Sequence, residues 1–257
     1  MSYFENLQRQ FAKTNLRLFC FEEVDSTNTF LKKHAGQEEM LCVALRQTAG
    51  RGRLGRAWSS EGENVYASFY YPVSQQDGGA LTLCVALAVA DAVETFGVKA
   101  GIKWPNDIYI GDKKLCGILC EGIYVGAQMQ GVVIGIGVNT NQVLFGEGLA
   151  ETATSLRIEL GRDIPLEEVV FAVKACLGER LARYFEEGFG AFRKEYESRS
   201  YLQGREVAAG EISGWCIGVS EEGGLLLQQG EEIKEIRFGE AVQKVRPKSM
   251  LSEGETK

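Results

Sequence analysis

The chain has 257 residues, of which 45% are hydrophobic and 25% charged, values that indicate a folded protein and exclude a disordered one. Its formal charge of −7 argues against a protein whose whole surface binds nucleic acid or anionic lipid, because the sequence-independent part of such binding is electrostatic. The longest apolar stretch, 80–90, is followed by Asp91 and falls well short of the roughly 20 residues of a membrane span, and the first residues lack the apolar core of a signal peptide.

Cysteine usage indicates a reducing compartment. The seven cysteines are odd in number, and none forms a Cys-x-x-Cys pair. With His34 as the single histidine, a structural zinc site is not expected. Cys116 and Cys120 fit the role of small buried hydrophobic residues. We therefore expect a cytoplasmic protein.

The first half of the chain alternates short helices with strands. Asp25 and Ser26 resemble the cap of a short helix that closes near Gly36. Strands are predicted at 41–45 and 65–71, and a mostly apolar helix at 80–96. A β-rich stretch follows, with segments IKW, DIYI, KLCGILCEGIYV and MQGVVIGIGVN separated by turns. Its mixture of alternating and continuous apolar runs predicts a central sheet covered on one face.

The second half changes character twice. Pro165 and the acids after it predict the start of a long amphipathic helix that runs to about Glu187, and a second helix is predicted through FGAFRKEYE. After Tyr201 the pattern contains short β-like runs separated by glycine turns, which predicts a small β-barrel. We therefore expect two domains, 1–201 and 202–257.

The segment from Arg46 to Trp58 is unusual in an acidic protein. Residues 46–56 contain four arginines and three glycines and no acid. Glycines let the backbone approach a phosphate, and guanidinium groups supply charge and paired donors to its oxygens. The glycines also fit G-x-G-x-x-G, but no helix follows, so a dinucleotide fold is not indicated. The alternative is a solvated basic turn. We predict a loop that is mobile when empty and ordered by an anionic ligand.

Three other segments place polar residues at the ends of elements. Ser26, Thr27 and Asn28 either cap a helix or bind an amide-like or ureido ring, which needs both donors and acceptors. The segment 102–107, IKWPND, places polar groups at a strand end. Lys114 opens an apolar strand, from which its ammonium either points into a covered site or lies on the surface, as we expect for Lys113. In GIGVNTN, 135–141, the glycines suggest close approach of a ligand or another strand.

These motifs, in this order and spacing, resemble those of the biotin–protein ligases. The resemblance is carried by STN at 26–28, Q-x-x-GRGRxGRxW at 47–58, KWPND at 103–107, KLCGIL at 114–119 and GIGVNTN at 135–141. It implies an α+β catalytic domain with a central mixed or antiparallel sheet, similar to class II aminoacyl-tRNA synthetases, and a small C-terminal SH3-like β-barrel.

The resemblance also implies a two-step reaction. The carboxylate of biotin attacks the α-phosphate of ATP to form biotinyl-5'-AMP and pyrophosphate, and a lysine of a biotin carboxyl carrier protein then takes the biotin and releases AMP. Magnesium is expected with ATP, held by phosphate oxygens and water and not by protein side chains alone. Fixed cations would stabilise both transition states.

The family pattern assigns roles to individual residues. As catalytic residues it implies Lys114, Arg51, Arg53 and Asp107. For biotin it implies contacts from Ser26, Thr27, Asn28, Gln47, Arg51, Gly52, Arg53, Lys114 and Gly117. For the nucleotide it implies Arg51, Arg53, Arg56, Trp58, Lys103, Asn106, Lys114 and Asn139, with Trp58 and Trp104 as apolar walls of the two pockets.

The role of Asp107 stays open at this point. An acceptor lysine with a pKa of about 10.4 is almost wholly protonated at pH 7, so Asp107 either assists its deprotonation or orients Lys103 and the strand turn.

About 20 residues precede the first motif, too few for the helix-turn-helix domain of the repressor members, so no DNA binding is expected. Family members often dimerise, but no residue pattern here specifies a homodimer.

Three other functions are compatible with parts of the pattern. A lipoate or octanoate ligase or transferase shares the fold but would favour an elongated apolar pocket. A nucleic-acid-binding module would require basic residues beyond one loop. A non-catalytic biotin sensor would not depend on Lys114 or Arg51.

Overall fold

The computed structural model describes residues 2–73 and 80–237 and the backbone of the strand at 243–247. The helices are α1 (Tyr3–Phe11), α2 (Thr27–His34), α3 (Leu81–Glu94), α4 (Leu156–Leu160), α5 (Leu166–Glu187) and α6 (Arg193–Arg199). The strands of the first sheet are β1 (Arg17–Val24), β2 (Met40–Gln47), β3 (Val65–Tyr71), β4 (Gly101–Lys103), β5 (Asp107–Ile110), β6 (Lys113–Val125) and β7 (Gln128–Val138). Those of the second are β8 (Arg205–Ala209), β9 (Ile212–Val219), β10 (Leu225–Gln229), β11 (Glu232–Ile236) and β12 (Gln243–Pro247).

The first sheet is mixed, with the strand order β1-β2-β3-β7-β6-β5-β4. Only β1 and β2 pair in parallel, and the other neighbours are antiparallel. Every residue of β3 is buried, since it lies at the centre of the sheet with both faces covered. The predicted strand 65–71 is therefore confirmed, and its continuous apolar run has a physical cause.

Long helices cover one face of this sheet. The core on that face includes Ala67 and Phe69 of β3, Ile134 and Ile136 of β7, and most of α3, which packs against α5. On the opposite face, α2 places Leu31 against Met40, Cys42, Tyr70 and Val133. None of the helices in the described residues is long and apolar enough to cross a membrane.

Several short elements lie outside the sequence prediction. The helices α1 and α4 and the strand β1 were not predicted, and neither was β12. The predicted helix through FGAFRKEYE is divided into a single 3₁₀ turn, Phe189–Ala191, and α6, because Phe192 interrupts the helical run between them. The predicted α2, α3 and α5 are confirmed to within two or three residues at each end.

The last strands form a separate antiparallel sheet, in the order β11-β10-β9-β8-β12. It contacts the first part of the chain through the turn before β10: the indole nitrogen of Trp104 donates to the carbonyl of Gly223 at 2.9 Å. A Cβ on Gly223 would lie 2.9 Å from the Cα of Ala80, so only glycine allows this approach. The domain boundary at residue 202 stays a prediction.

A network of ion pairs joins the helices α3, α5 and α6. Arg180 of α5 donates to Asp91 of α3 at 2.7 Å and, through two nitrogens, to Glu195 of α6. Its side chain is only 15% exposed, so these hydrogen bonds are partly shielded from water. Arg199 adds a second contact to Asp91 at 2.6 Å.

Replacing Arg180 by Gln should lower the free energy of unfolding by about 2 kcal/mol, because two carboxylates would lose their shared cation. Arg183→Gln, three residues along the same helix, is the control, since its pair with Glu187 is half exposed. Urea unfolding curves of both variants test this. Equal midpoints for the two variants would show that the network contributes nothing beyond an exposed pair.

Candidate active site

A cleft opens on the face of the first sheet that carries α2. Its lining comes from the start of α2, the end of β2, the arginine segment, the turn into β5 and strands β3, β6 and β7. It comprises Ser26, Thr27, Asn28, Gln47, Arg51, Gly52, Arg53, Arg56, Ala57, Trp58, Tyr66, Ala67, Asn106, Asp107, Lys114, Gly117, Ile118, Leu119, Gly135, Ile136 and Gly137. One wall is polar and uncharged, and the other is cationic.

The polar wall begins where β1 passes into α2. Ser26 caps the helix by accepting a hydrogen bond from the amide of Thr29 at 3.4 Å, which confirms the predicted cap. Thr27 donates to the Oε1 atom of Gln47 through its amide at 2.9 Å and its hydroxyl at 3.1 Å. Because Ser26 and Thr27 are each only 3% exposed, these groups need partners inside the protein or from a ligand.

Asn28 is held from two sides. Its Nδ2 atom donates to the carbonyl of Leu119 at 3.3 Å, and its Oδ1 atom accepts from the hydroxyl of Ser68 at 2.6 Å. A Cβ on Gly135 would lie 2.2 Å from this Oδ1 atom. The sequence predicted close approach of a ligand or another strand at the glycines of β7, and at Gly135 the close neighbour is instead the Asn28 side chain of α2.

The indole of Trp58 lies on a floor of two glycines. Gly117 and Gly137 face each other across β6 and β7. A Cβ on Gly117 would lie 2.5 Å from the indole ring, and a Cβ on Gly137 would lie 2.6 Å from it. The Trp58 indole nitrogen is buried and has no hydrogen-bond partner within the protein.

The arginine segment folds into a tight hairpin, which we call the arginine hairpin and define as residues 50–58. Arg51 and Ala57 form an antiparallel bridge, and the amide of Gly52 donates to the carbonyl of Arg56 at 2.7 Å. Leu54 at the tip has a positive φ of 53°. Since β6 and β7 lie beneath, the hairpin forms the cationic wall of the cleft.

Polar contacts hold the side chains of Arg53 and Lys114 in place. Arg53 donates to the Oδ1 atom of Asn106 at 3.3 Å. Lys114 pairs with the Oδ1 atom of Asp107 at 2.7 Å, and its ammonium lies 5.3 Å from the centroid of the Trp58 ring. The Lys114 side chain is 30% exposed, so its charge is partly shielded from water.

Comparisons with known proteins identify the fold and the family. Residues 20–139 match the biotin/lipoate A/B protein ligase family. The biotin–[acetyl-CoA-carboxylase] ligase of Paracoccus denitrificans is 31% identical over 221 residues, which cover 79% of this chain and 91% of that protein. The chain belongs to the biotin protein ligase family. Its architecture also matches a biotin protein ligase from Aquifex aeolicus in complex with biotin and ATP, with 35% identity and a TM-score of 0.81 over 89% of this chain and 99% of that one.

Longer relatives share only part of their length with this family member. The bifunctional ligase/repressor BirA of Bacillus subtilis is 37% identical over 216 residues, which are 80% of this chain and 66% of that protein. The chain therefore spans just under two thirds of the length of that relative.

The structure brings most of the predicted site residues into one cleft. The residues that line it are Ser26, Thr27, Asn28, Gln47, Arg51, Gly52, Arg53, Arg56, Trp58, Asn106, Asp107, Lys114 and Gly117. They come from stretches up to 91 residues apart in sequence, so the folded sheet is what assembles them.

Three predicted residues do not line the cleft. The ammonium of Lys103 donates to the hydroxyl of Tyr109 at 3.2 Å, and burial lowers the pKa of Lys103 although Asp107 acts against it. Asn139 donates to the carbonyl of Thr154 at 3.0 Å and holds the following loop on the sheet. Trp104 is 4% exposed and faces the second sheet, so it is not a wall of this cleft.

Sequence reasoning missed two residues beside the cleft. Ser68 donates to Asn28, and its hydroxyl also lies 2.7 Å from that of Thr27. Glu121 accepts hydrogen bonds from both Asn28 and Arg51. A signal for Glu121 was present: it lies four residues after Gly117 on the same strand, so a period of two puts both on one face.

Proposed function

We propose that this protein activates biotin with ATP to form biotinyl-5'-AMP and then transfers the biotin to a lysine of a biotin carboxyl carrier protein. The observation that carries the proposal is the pairing of two unlike walls in one cleft. Neutral donors and acceptors at the start of α2 suit a ureido ring, and Arg51, Arg53, Arg56 and Lys114 suit a carboxylate beside a phosphate.

In the first step, an oxygen of the biotin carboxylate attacks the α-phosphorus of ATP and pyrophosphate leaves. Negative charge gathers on the phosphate oxygens in the transition state. Lys114 and the hairpin arginines would stabilise that charge more than the charge of the separated ground state.

In the second step, the neutral amine of the carrier lysine attacks the carbonyl of the mixed anhydride, loses its proton and expels AMP. The cations that stabilised adenylate formation also stabilise AMP as a leaving group.

Magnesium would accompany ATP in this proposal. The cleft contains one carboxylate, that of Asp107, and it already pairs with Lys114. No cluster of three potential metal ligands occurs in the part of the chain that the structure describes. Magnesium, when bound, neutralises phosphate charge, and phosphate oxygens and water would hold it.

Biotin should raise the melting temperature of the purified protein, and lipoate should not. The short polar wall at α2 matches a ring with paired donors and acceptors, which lipoate lacks. A thermal shift series with each acid, with and without ATP, measures this. A larger shift with lipoate would favour the lipoate branch of the family, and no shift with either acid would refute the proposal.

Asp107→Asn should slow adenylate formation and transfer by similar factors, about 10- to 100-fold each. The carboxylate of Asp107 pairs with Lys114 and not with Lys103, so its loss would release the cation that serves both steps. Single-turnover assays with ATP and biotin, and separately with preformed adenylate and carrier, resolve the two rates. Loss of transfer alone would show that Asp107 acts as a base for the acceptor amine.

A further inference from the structure

Glu121 is the one acid of β6, and it lies between the apolar run Leu115–Cys120 and Gly122. Its side chain is 18% exposed and lies on the same face of β6 as the cleft, next to the start of α2. A carboxylate in such a position needs charged or hydrogen-bonding partners to offset the loss of water.

Three residues from two other elements supply these partners. Lys32 and Asn28 of α2 each donate to Glu121 at 2.9 Å. Arg51 of the arginine hairpin donates to both carboxylate oxygens, at 3.2 and 3.0 Å. Partial burial acts to raise the pKa of Glu121, but the hydrogen bonds from Lys32 and Asn28 and the charge of Arg51 outweigh it and hold the pKa below its ordinary value.

The geometry of the Arg51 contact leaves the guanidinium group available to a ligand. Glu121 contacts only the Nη2 atom, so the Nη1 and Nε donors are not part of this ion pair. Arg51 lines the cleft while Glu121 does not. Glu121 therefore fixes where the Arg51 side chain lies without occupying the cleft.

We propose that Glu121 is a positioning residue for the arginine hairpin. Its carboxylate holds Arg51 against the sheet and, through Asn28 and Lys32, joins the hairpin to the helix that forms the polar wall. One side chain thus contacts both walls of the cleft. The consequence for ligand retention rests on the proposed function, whereas the consequence for the hairpin does not.

Limited trypsin digestion of the full chain without ligand tests the hairpin directly. In Glu121→Gln, cleavage after Arg53 and Arg56 should be about tenfold faster than in the unmodified protein, because loss of one charge-assisted contact lets the hairpin open more often. Glu39→Gln is the matched control, since Glu39 pairs with Lys174 at 2.9 Å outside the cleft. It should leave cleavage at these two sites unchanged.

Arg51→Gln provides a second, independent variant that leaves the strand intact. It should accelerate cleavage after Arg53 and Arg56 as much as Glu121→Gln does, and the double variant should add no further increase. Unchanged cleavage in both single variants would overturn the proposal. So would cleavage that spreads over the whole chain together with a fall in melting temperature, because that result indicates a general structural role for Glu121.

Dissociation of the adenylate measures how the loss of the Glu121 carboxylate affects the cleft. Labelled biotinyl-AMP should dissociate about tenfold faster from Glu121→Gln than from the unmodified protein. An equal dissociation rate would refute a role in positioning the site. If the unmodified protein failed to bind the adenylate, the proposed function would fall, and the cleavage rates would still decide what Glu121 does to the hairpin.

Discussion

Replacing Lys114 by Ala should reduce the rate of biotinyl-AMP formation by about 10²- to 10³-fold, the usual consequence of removing one preorganised group that stabilises developing charge. Lys114 is held by Asp107 at 2.7 Å and by the face of Trp58, so its ammonium is already in place before reaction. The same change leaves Asp107 without its counterion, so a negative charge near the phosphate oxygens is no longer neutralised by Lys114.

Lys113→Ala is the control, because Lys113 precedes Lys114 in the same strand and its side chain is exposed. Biotin-dependent pyrophosphate release should be normal in this variant and nearly abolished in Lys114→Ala. Equal activity in the two variants would mean that the cleft does not use Lys114, and a non-catalytic biotin sensor would release no pyrophosphate even as the unmodified protein.

Gly137→Ala should weaken biotin binding by about 10- to 100-fold. The new Cβ would lie 2.6 Å from the indole of Trp58, and overpacking of this kind costs about 1–3 kcal/mol or forces the ring to move. Because the amide of Trp58 donates to the carbonyl of Gly50 at 2.9 Å, a displaced indole would also shift the base of the arginine hairpin.

Gly131→Ala separates this effect from damage to the strand. Gly131 lies on the same strand, and a Cβ there would lie 2.4 Å from Tyr70, away from the cleft. Isothermal titration with biotin should show a large loss of affinity in Gly137→Ala and little in Gly131→Ala, although both variants are destabilised. Similar affinities in both would show that the glycine floor under Trp58 has no part in binding.

Much of the fold follows from local pattern, and the exceptions have identifiable causes. Strand β3 was predictable from its continuous apolar run of seven residues, and helix α5 because its apolar residues recur at the helical period. Helix α1 was missed although Ser2 and Glu5 form a capping box. A helix of nine residues owes most of its stability to packing, here of Leu7 and Phe11, which local sequence does not reveal.

The site was predictable as a set of motifs but not as a set of contacts. The resemblance to the family implied that Lys114 and Asp107 belong to the site, yet their ion pair depends on the pairing of β5 with β6. Trp104 belongs to the same motif as Asp107, but its partner Gly223 lies 119 residues away in the second sheet. Contacts at such separations are set by tertiary structure, so the placement of Trp104 against that sheet could not be predicted.

A transfer assay with the full chain, ATP, magnesium, labelled biotin and a biotin-carrier domain tests the proposed reaction most directly. We expect label on the carrier lysine with the unmodified protein and with Lys113→Ala, and none above background with Lys114→Ala. Absence of label with the unmodified protein, or transfer that persists without ATP, would contradict it.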